Sequence, residues 1–96
     1  MTRVELAVAA TEDLDALIRT HSLPGDTRDR LRLGLAQLER FPRVGAMLHG
    51  GWNGLRFVLG PWRWMLVIYH FDEPADRCVV VTIQDARASH AATATR

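Results

Sequence analysis

The chain has 96 residues, 48% of them apolar and 24% charged, with a formal net charge of +1. That balance predicts one globular domain with an ordinary core. It excludes a strong field that would hold nucleic acid at a distance, and no apolar run approaches the roughly 20 residues that cross a bilayer. The opening MTRVELAVAA is not read as a signal peptide, because Glu5 interrupts a short apolar stretch and acidic residues follow at once. The lone cysteine, Cys78, cannot form an internal disulfide and is expected to be buried and inert. These features together predict a cytoplasmic protein. All 12 basic residues are arginine. Base composition in a GC-rich genome explains that bias more simply than selection for phosphate binding.

The chain starts with Val4, Leu6 and Val8 alternating with Arg3, Glu5 and Ala7, the period of a strand with one buried face. Thr11 is a candidate helix cap, with Glu12 and Asp13 placed for the first turn. Leu14, Leu17 and Ile18 give the helical stripe, which ends near His21. Leu23-Pro24-Gly25 is a break, and Asp26 with Asp29 starts a second helix in the manner of a capping box. Leu31, Leu35, Leu38 and Phe41 line its inner face until Pro42 stops it.

The stretch from Trp52 to Arg87 contains three apolar runs, at 55–59, 62–71 and 77–84, cut by Gly60-Pro61 and by Asp72-Glu73-Pro74-Ala75-Asp76. Their Val, Ile, Trp, Phe and Tyr content suits a pleated surface. Such short connections force neighbouring strands to be antiparallel. The predicted fold is α+β in the order β-α-α-β-β-β, a two-helix hairpin packed on one face of an antiparallel sheet. Residues 1–90 form the single domain, and the small, polar segment after Arg87 frays, with 91–96 a flexible tail.

No CxxC, HExxH or histidine pair at metal spacing is present, so neither metal nor cofactor is expected. Gly45, Gly50, Gly51 and Gly54 lead into a strand rather than a helix, which reads as a flexible loop and not a phosphate cradle. Ser89-His90 is not a dyad, because sequence neighbours rarely face one another productively.

Three segments carry a resemblance to a known family. LERFPRVGAMLHGGWNGLRFVL, MLVIYHFDEPADRCVVVTI and VAATEDLDALI resemble the second helix and following strand, the central and last strands, and the first helix of the RelE/ParE superfamily. These are toxins of bacterial type II toxin–antitoxin pairs. The match spans about residues 3–90 and rests on apolar spacing. It implies a toxin neutralised by a cognate antitoxin, acting by ribosome-dependent mRNA cleavage or by a non-nucleolytic mode such as inhibition of DNA gyrase. The alternative is a non-toxic protein-binding module on the same scaffold.

The departures bear on activity. Endonuclease members carry an arginine three residues before the tyrosine aligned with Tyr69; here that position is Leu66. Their His-Arg after the last strand falls at Asp85-Ala86, and their following tyrosine falls near His90. Cleavage by a ribose 2′-hydroxyl needs a base, cations for the developing phosphorane charge and an acid for the leaving oxygen. The candidates are Asp85 or His90 as base or acid, with Arg56 and Arg87 as phosphate clamps. Each also has an ordinary reading: Arg56 as a solvated strand residue, Asp85 and Arg87 as a turn or exposed ion pair, His90 as a tail residue without a role.

Alternation along the central run puts Trp62, Trp64, Leu66, Ile68 and His70 on one face, and Arg63, Met65, Val67 and Tyr69 on the other. Two helices cover only one of these faces. Trp64, Leu66, Ile68 and His70 then form a patch that either binds an antitoxin or a second copy of the chain, or lies under the 43–54 loop or the tail.

Overall fold

The longest apolar run becomes the centre of the sheet. In the computed structural model, which describes residues 1–94, the elements run β1 (Arg3–Leu6), α1 (Val8–Thr20), α2 (Thr27–Leu35), α3 (Gln37–Arg40), β2 (Ala46–Met47), β3 (Arg56–Leu59), β4 (Met65–Asp72) and β5 (Arg77–Asp85). A 3-10 turn at Gly50–Trp52 separates β2 from β3. Among the described residues the strands form one sheet in the order β1-β5-β4-β3-β2. The meander β3-β4-β5 is antiparallel, as the short connections require, with Val58 opposite Val67 and Val67 opposite Ile83.

The expected α+β architecture holds, with one change in strand direction. β1 lies beside β5 in parallel, with Val4 opposite Cys78, so the sheet is mixed. The two helices between β1 and the meander carry the chain back to the start, which a tight turn cannot do.

Several local expectations fail for identifiable reasons. Strand alternation stops at Leu6, and Val8 opens α1 with Ala7 as its cap. The run Ala9-Ala10 favours helix over strand, and the buried Ala10 packs into the core. Thr11 therefore sits inside the first turn and caps nothing. Asp26 precedes α2 without a capping bond; instead the buried Thr27 donates its hydroxyl to the Pro24 carbonyl at 2.6 Å. The second helix breaks at Ala36, where bonds of i to i+3 type replace the α pattern. Beyond the break Leu38 is fully buried, whereas Phe41 is 62% exposed, contrary to the expected inner face.

The sheet separates two apolar clusters. On the helix side, Met65, Val67 and Tyr69 of β4 pack with Leu14, Leu31, Leu35, Leu38, Cys78, Val80 and Ile83. On the other side, Leu66 and Ile68 pack with Leu48 and Ala91, flanked by Trp52, Leu55, Phe57, Val81 and Ala92. The second cluster decides between the two readings of the outer face. Leu66 is 2% exposed and Ile68 is 0% exposed, covered by the chain's own 48–55 connection and C-terminal segment. They are not a docking patch.

The expected fraying after Arg87 is likewise corrected through Ala92. Backbone bonds from Ala88 to Asp85 and from Ala91 to Ala88 wind residues 86–91 into tight turns. The Ala92 N–H then donates to Gln84 Oε1 at 2.8 Å. Small side chains let this irregular segment lie close against β4 and β5. Residues 95 and 96 of the expected tail lie outside the described residues.

Candidate functional site

The four residues singled out for catalysis do not converge. Arg56 pairs with Tyr69 near the end of β4, and Asp85 pairs with Met65 at its start. Four residues of strand put them about 13 Å apart along β4 alone. His90 is exposed in the turns after β5, and its side chain makes no hydrogen bond among the described residues.

Arg56 is held by the fold. Its guanidinium donates to the carbonyls of Arg43 at 3.1 Å and Gly45 at 2.9 Å. Beside it, the Tyr69 hydroxyl donates to the Pro42 carbonyl at 2.7 Å and accepts from the Gly45 N–H at 3.0 Å. Burial pushes the Tyr69 hydroxyl above its usual range, partly offset by the Gly45 N–H bond. These contacts strap the loop after α3 to the sheet. The approach is so close that a Cβ on Gly45 would lie 2.7 Å from the Phe57 carbonyl oxygen and from the Tyr69 ring. Glycine is required there by contact, not for phosphate binding.

Asp85 and Arg87 sit at the opposite end in a joined cluster. Arg87 donates to the carboxylate through Nε at 2.9 Å, Nη2 at 2.8 Å and its backbone N–H at 2.9 Å. His21, at the end of α1, reaches the same carboxylate through Nε2 at 3.1 Å. The Arg87 side chain, then its backbone N–H and His21, hold the Asp85 carboxyl well below the usual carboxylate range against the opposing effect of burial. The same carboxylate pushes Arg87 up. A carboxylate so stabilised is a poor proton acceptor and no proton donor near neutral pH.

Trp64 also belongs to this cluster and not to the outer face. β4 begins only at Met65, so Trp62 and Trp64 lie in the preceding turn, and both pack against the helix-side core. Trp64 stacks with His21 at 4.7 Å between ring centroids, and the Arg87 guanidinium carbon lies 4.8 Å from its ring centroid. Of the proposed partner-binding residues, only His70 remains exposed on the strand, opposite Val79.

Two residues that local pattern left without a long-range role reach across to β5. His21 appeared only as the last residue of a helix; its contact with Asp85 spans 64 residues of sequence. Asp13 read as a first-turn acid. Its carboxylate instead accepts from Thr82 Oγ1 at 2.5 Å and from the Ile83 N–H at 3.2 Å. β1 pairs with β5 only as far as Val80, so Asp13 satisfies a strand N–H that β1 does not reach.

Among the described residues no cluster of three or more His, Cys, Asp or Glu could hold a metal, and no helix is long and apolar enough to cross a membrane. A groove of about 570 Å³ runs between α1, α2 and β1, lined by Val4, Leu6, Leu14, Leu31, Leu33 and Leu35 among others. It contains none of the candidate residues.

Comparison with known proteins identifies the fold class. No protein-family model matches the chain, and no curated protein matches it by sequence. Solved structures do. The chain is similar to a chain of the chromosomal ParDE toxin–antitoxin system of P. aeruginosa, with TM-score 0.68 and 15% identity over 91% of this chain and 98% of the other. It is similar to the isolated RelE toxin of E. coli, with TM-score 0.63 and 14% identity over 94% and 89%. The RelBE2 toxin–antitoxin complex of Mycobacterium tuberculosis gives TM-score 0.59 and 21% identity over 88% and 96%. The fold is that of the RelE/ParE toxin structures.

Proposed function

We propose that this chain is the toxin component of a type II toxin–antitoxin pair and that it acts by binding its target, as in gyrase inhibition, without cutting mRNA on the ribosome. The fold supports the first half: its structural neighbours are toxins and toxin–antitoxin complexes. The second half rests on one observation. Arg56 is bonded to two backbone carbonyls at one end of β4 and Asp85 is locked to Arg87 at the other, while Leu66 is buried on the opposite face of the strand. That arrangement offers no cation pair with an adjacent base or acid for in-line attack on a phosphate. A cognate antitoxin has an open surface in the groove along β1, where Leu6 and Leu33 are exposed.

Induced expression in a bacterial host tests both halves. Growth arrest relieved by co-expressing a small adjacent gene, with mRNA intact, is expected. Ribosome-dependent mRNA fragments that disappear in Arg87→Ala would replace the binding mode with cleavage. Normal growth at full expression would favour the non-toxic binding module.

A further inference from the structure

A row of stacked tryptophans and arginines crosses the end of the molecule formed by the start of α2, the turn before β4 and the segment after β5. The Arg30 guanidinium carbon lies 4.8 Å from the Trp62 ring centroid. Trp62 and Trp64 stack with centroids 6.4 Å apart, and Arg87 lies over Trp64 at 4.8 Å. Arg63 is exposed in the turn between the two indoles. We propose that this row, Arg30–Trp62–Arg63–Trp64–Arg87, is a docking surface for an acidic segment of a partner protein. The proposal goes beyond the toxin reading and stands without it.

The first support is unspent hydrogen-bonding capacity. A guanidinium stacked on an indole keeps its N–H groups at the edge, directed outward in its own plane, where they match a carboxylate. Among the described residues the side chains of Arg30 and Arg63 make no hydrogen bond or ion pair. Arg87 displays the chemistry within the chain, taking the Asp85 carboxylate through Nε and Nη2 together. The neighbouring acids do not supply a second internal carboxylate. Asp15 pairs with Arg28 and Asp29 with Arg32, while Asp26, one helical turn before Arg30, forms no hydrogen bond or ion pair with its side chain among the described residues.

The second support is composition. Tryptophan and arginine are the residues that dominate binding energy at protein interfaces. Here the indoles are half-buried and fixed by the core behind them, so little ordering cost remains on binding.

The same stacking disfavours a nucleic acid. Single strands bind by laying bases on open aromatic faces, yet Trp62 carries Arg30, and Trp64 carries His21 and Arg87. The chain's net charge of +1 also gives little of the field that draws in a polyphosphate. A short acidic segment fits better, with its carboxylates on the open guanidinium edges of Arg30 and Arg63.

The test is binding of a fluorescein-labelled peptide of Glu-Leu repeats to the full chain, with a Gln-Leu repeat peptide and an oligouridylate of equal length as controls. Saturable binding of the Glu-Leu peptide is expected, falling as salt rises. Arg30→Ala and Arg63→Ala should each weaken it about tenfold. Arg63 is exposed and has no internal polar or aromatic partner among the described residues, so thermal unfolding of Arg63→Ala should match the parent and isolate the loss to binding. Equal binding of the Gln-Leu peptide, tighter binding of the oligouridylate, no binding of the Glu-Leu peptide, or unchanged affinity in both variants would each overturn the proposal.

Discussion

The two faces of β4 are equally dry but are covered by different means. Met65, Val67 and Tyr69 lie under two helices whose leucine stripes repeat at helical spacing. Leu66 and Ile68 lie under a glycine-containing loop and a C-terminal segment of alanines. A regular element announces the face it will bury through its period. An irregular cover has no period, and small side chains do not look like a lid. A strand apolar on both faces is thus a demand for two covers, and the second need not come from another molecule.

The largest effect should come from charging the irregularly covered face. Leu66→Arg places an unpaired charge at a position 2% exposed, which should cost about 3–5 kcal/mol and leave the chain unfolded or nearly so at 37 °C. Urea denaturation measures it. A folded Leu66→Arg variant of near-parental stability would show that the loop and C-terminal segment cover this face only loosely.

Leu38→Ala is the matching change on the helix side. Leu38 is fully buried, so the loss should be about 2–5 kcal/mol. A much smaller loss would mean that the turn of helix after Ala36 does not pack as a unit with β4.

Tyr69→Phe is milder and tests the strap at the far end of the same face. It removes the hydroxyl that bonds Pro42 and Gly45 and leaves a buried Gly45 N–H unpaired, at a cost of about 1–3 kcal/mol. Amide exchange at Gly45 should accelerate before that of the β4 amides. No change in its exchange would separate the hydroxyl from the strap.

Asp85→Asn should have the smallest effect at neutral pH, since Arg87 is largely exposed and solvent screens the pair. The pH dependence is more diagnostic. The Asp85 carboxyl is held below its ordinary value near 4, so the folded state binds its proton less readily than the unfolded state. The stabilisation is fully present above about pH 4 and is lost as pH falls through the folded-state value. The variant should lack this acid limb, and its stability should converge with the parent's at low pH. A difference that persisted unchanged at low pH would assign the contribution to packing around Trp64.

Local sequence was enough to specify the helix-side core, the antiparallel meander and the order of the main elements. Apolar period and turn chemistry act between near neighbours, as Leu31, Leu35 and Leu38 or the Asp72–Asp76 turn show. The resemblance of three segments to RelE/ParE toxins matched the fold found. Local signals could not specify the parallel placement of β1, the role of Asp13 as a substitute ladder partner, or the meeting of His21, Trp64, Asp85 and Arg87. The Thr82–Asp13 bond spans 69 residues, and the His21–Asp85 contact spans 64. At such separations nothing in the local pattern records which polar group will be left unpaired once the strands assemble. The fate of Arg56 was decided the same way: a strand arginine read as a phosphate clamp or a solvated side chain became a strap, because the loop after α3 brought two carbonyls within reach of its guanidinium.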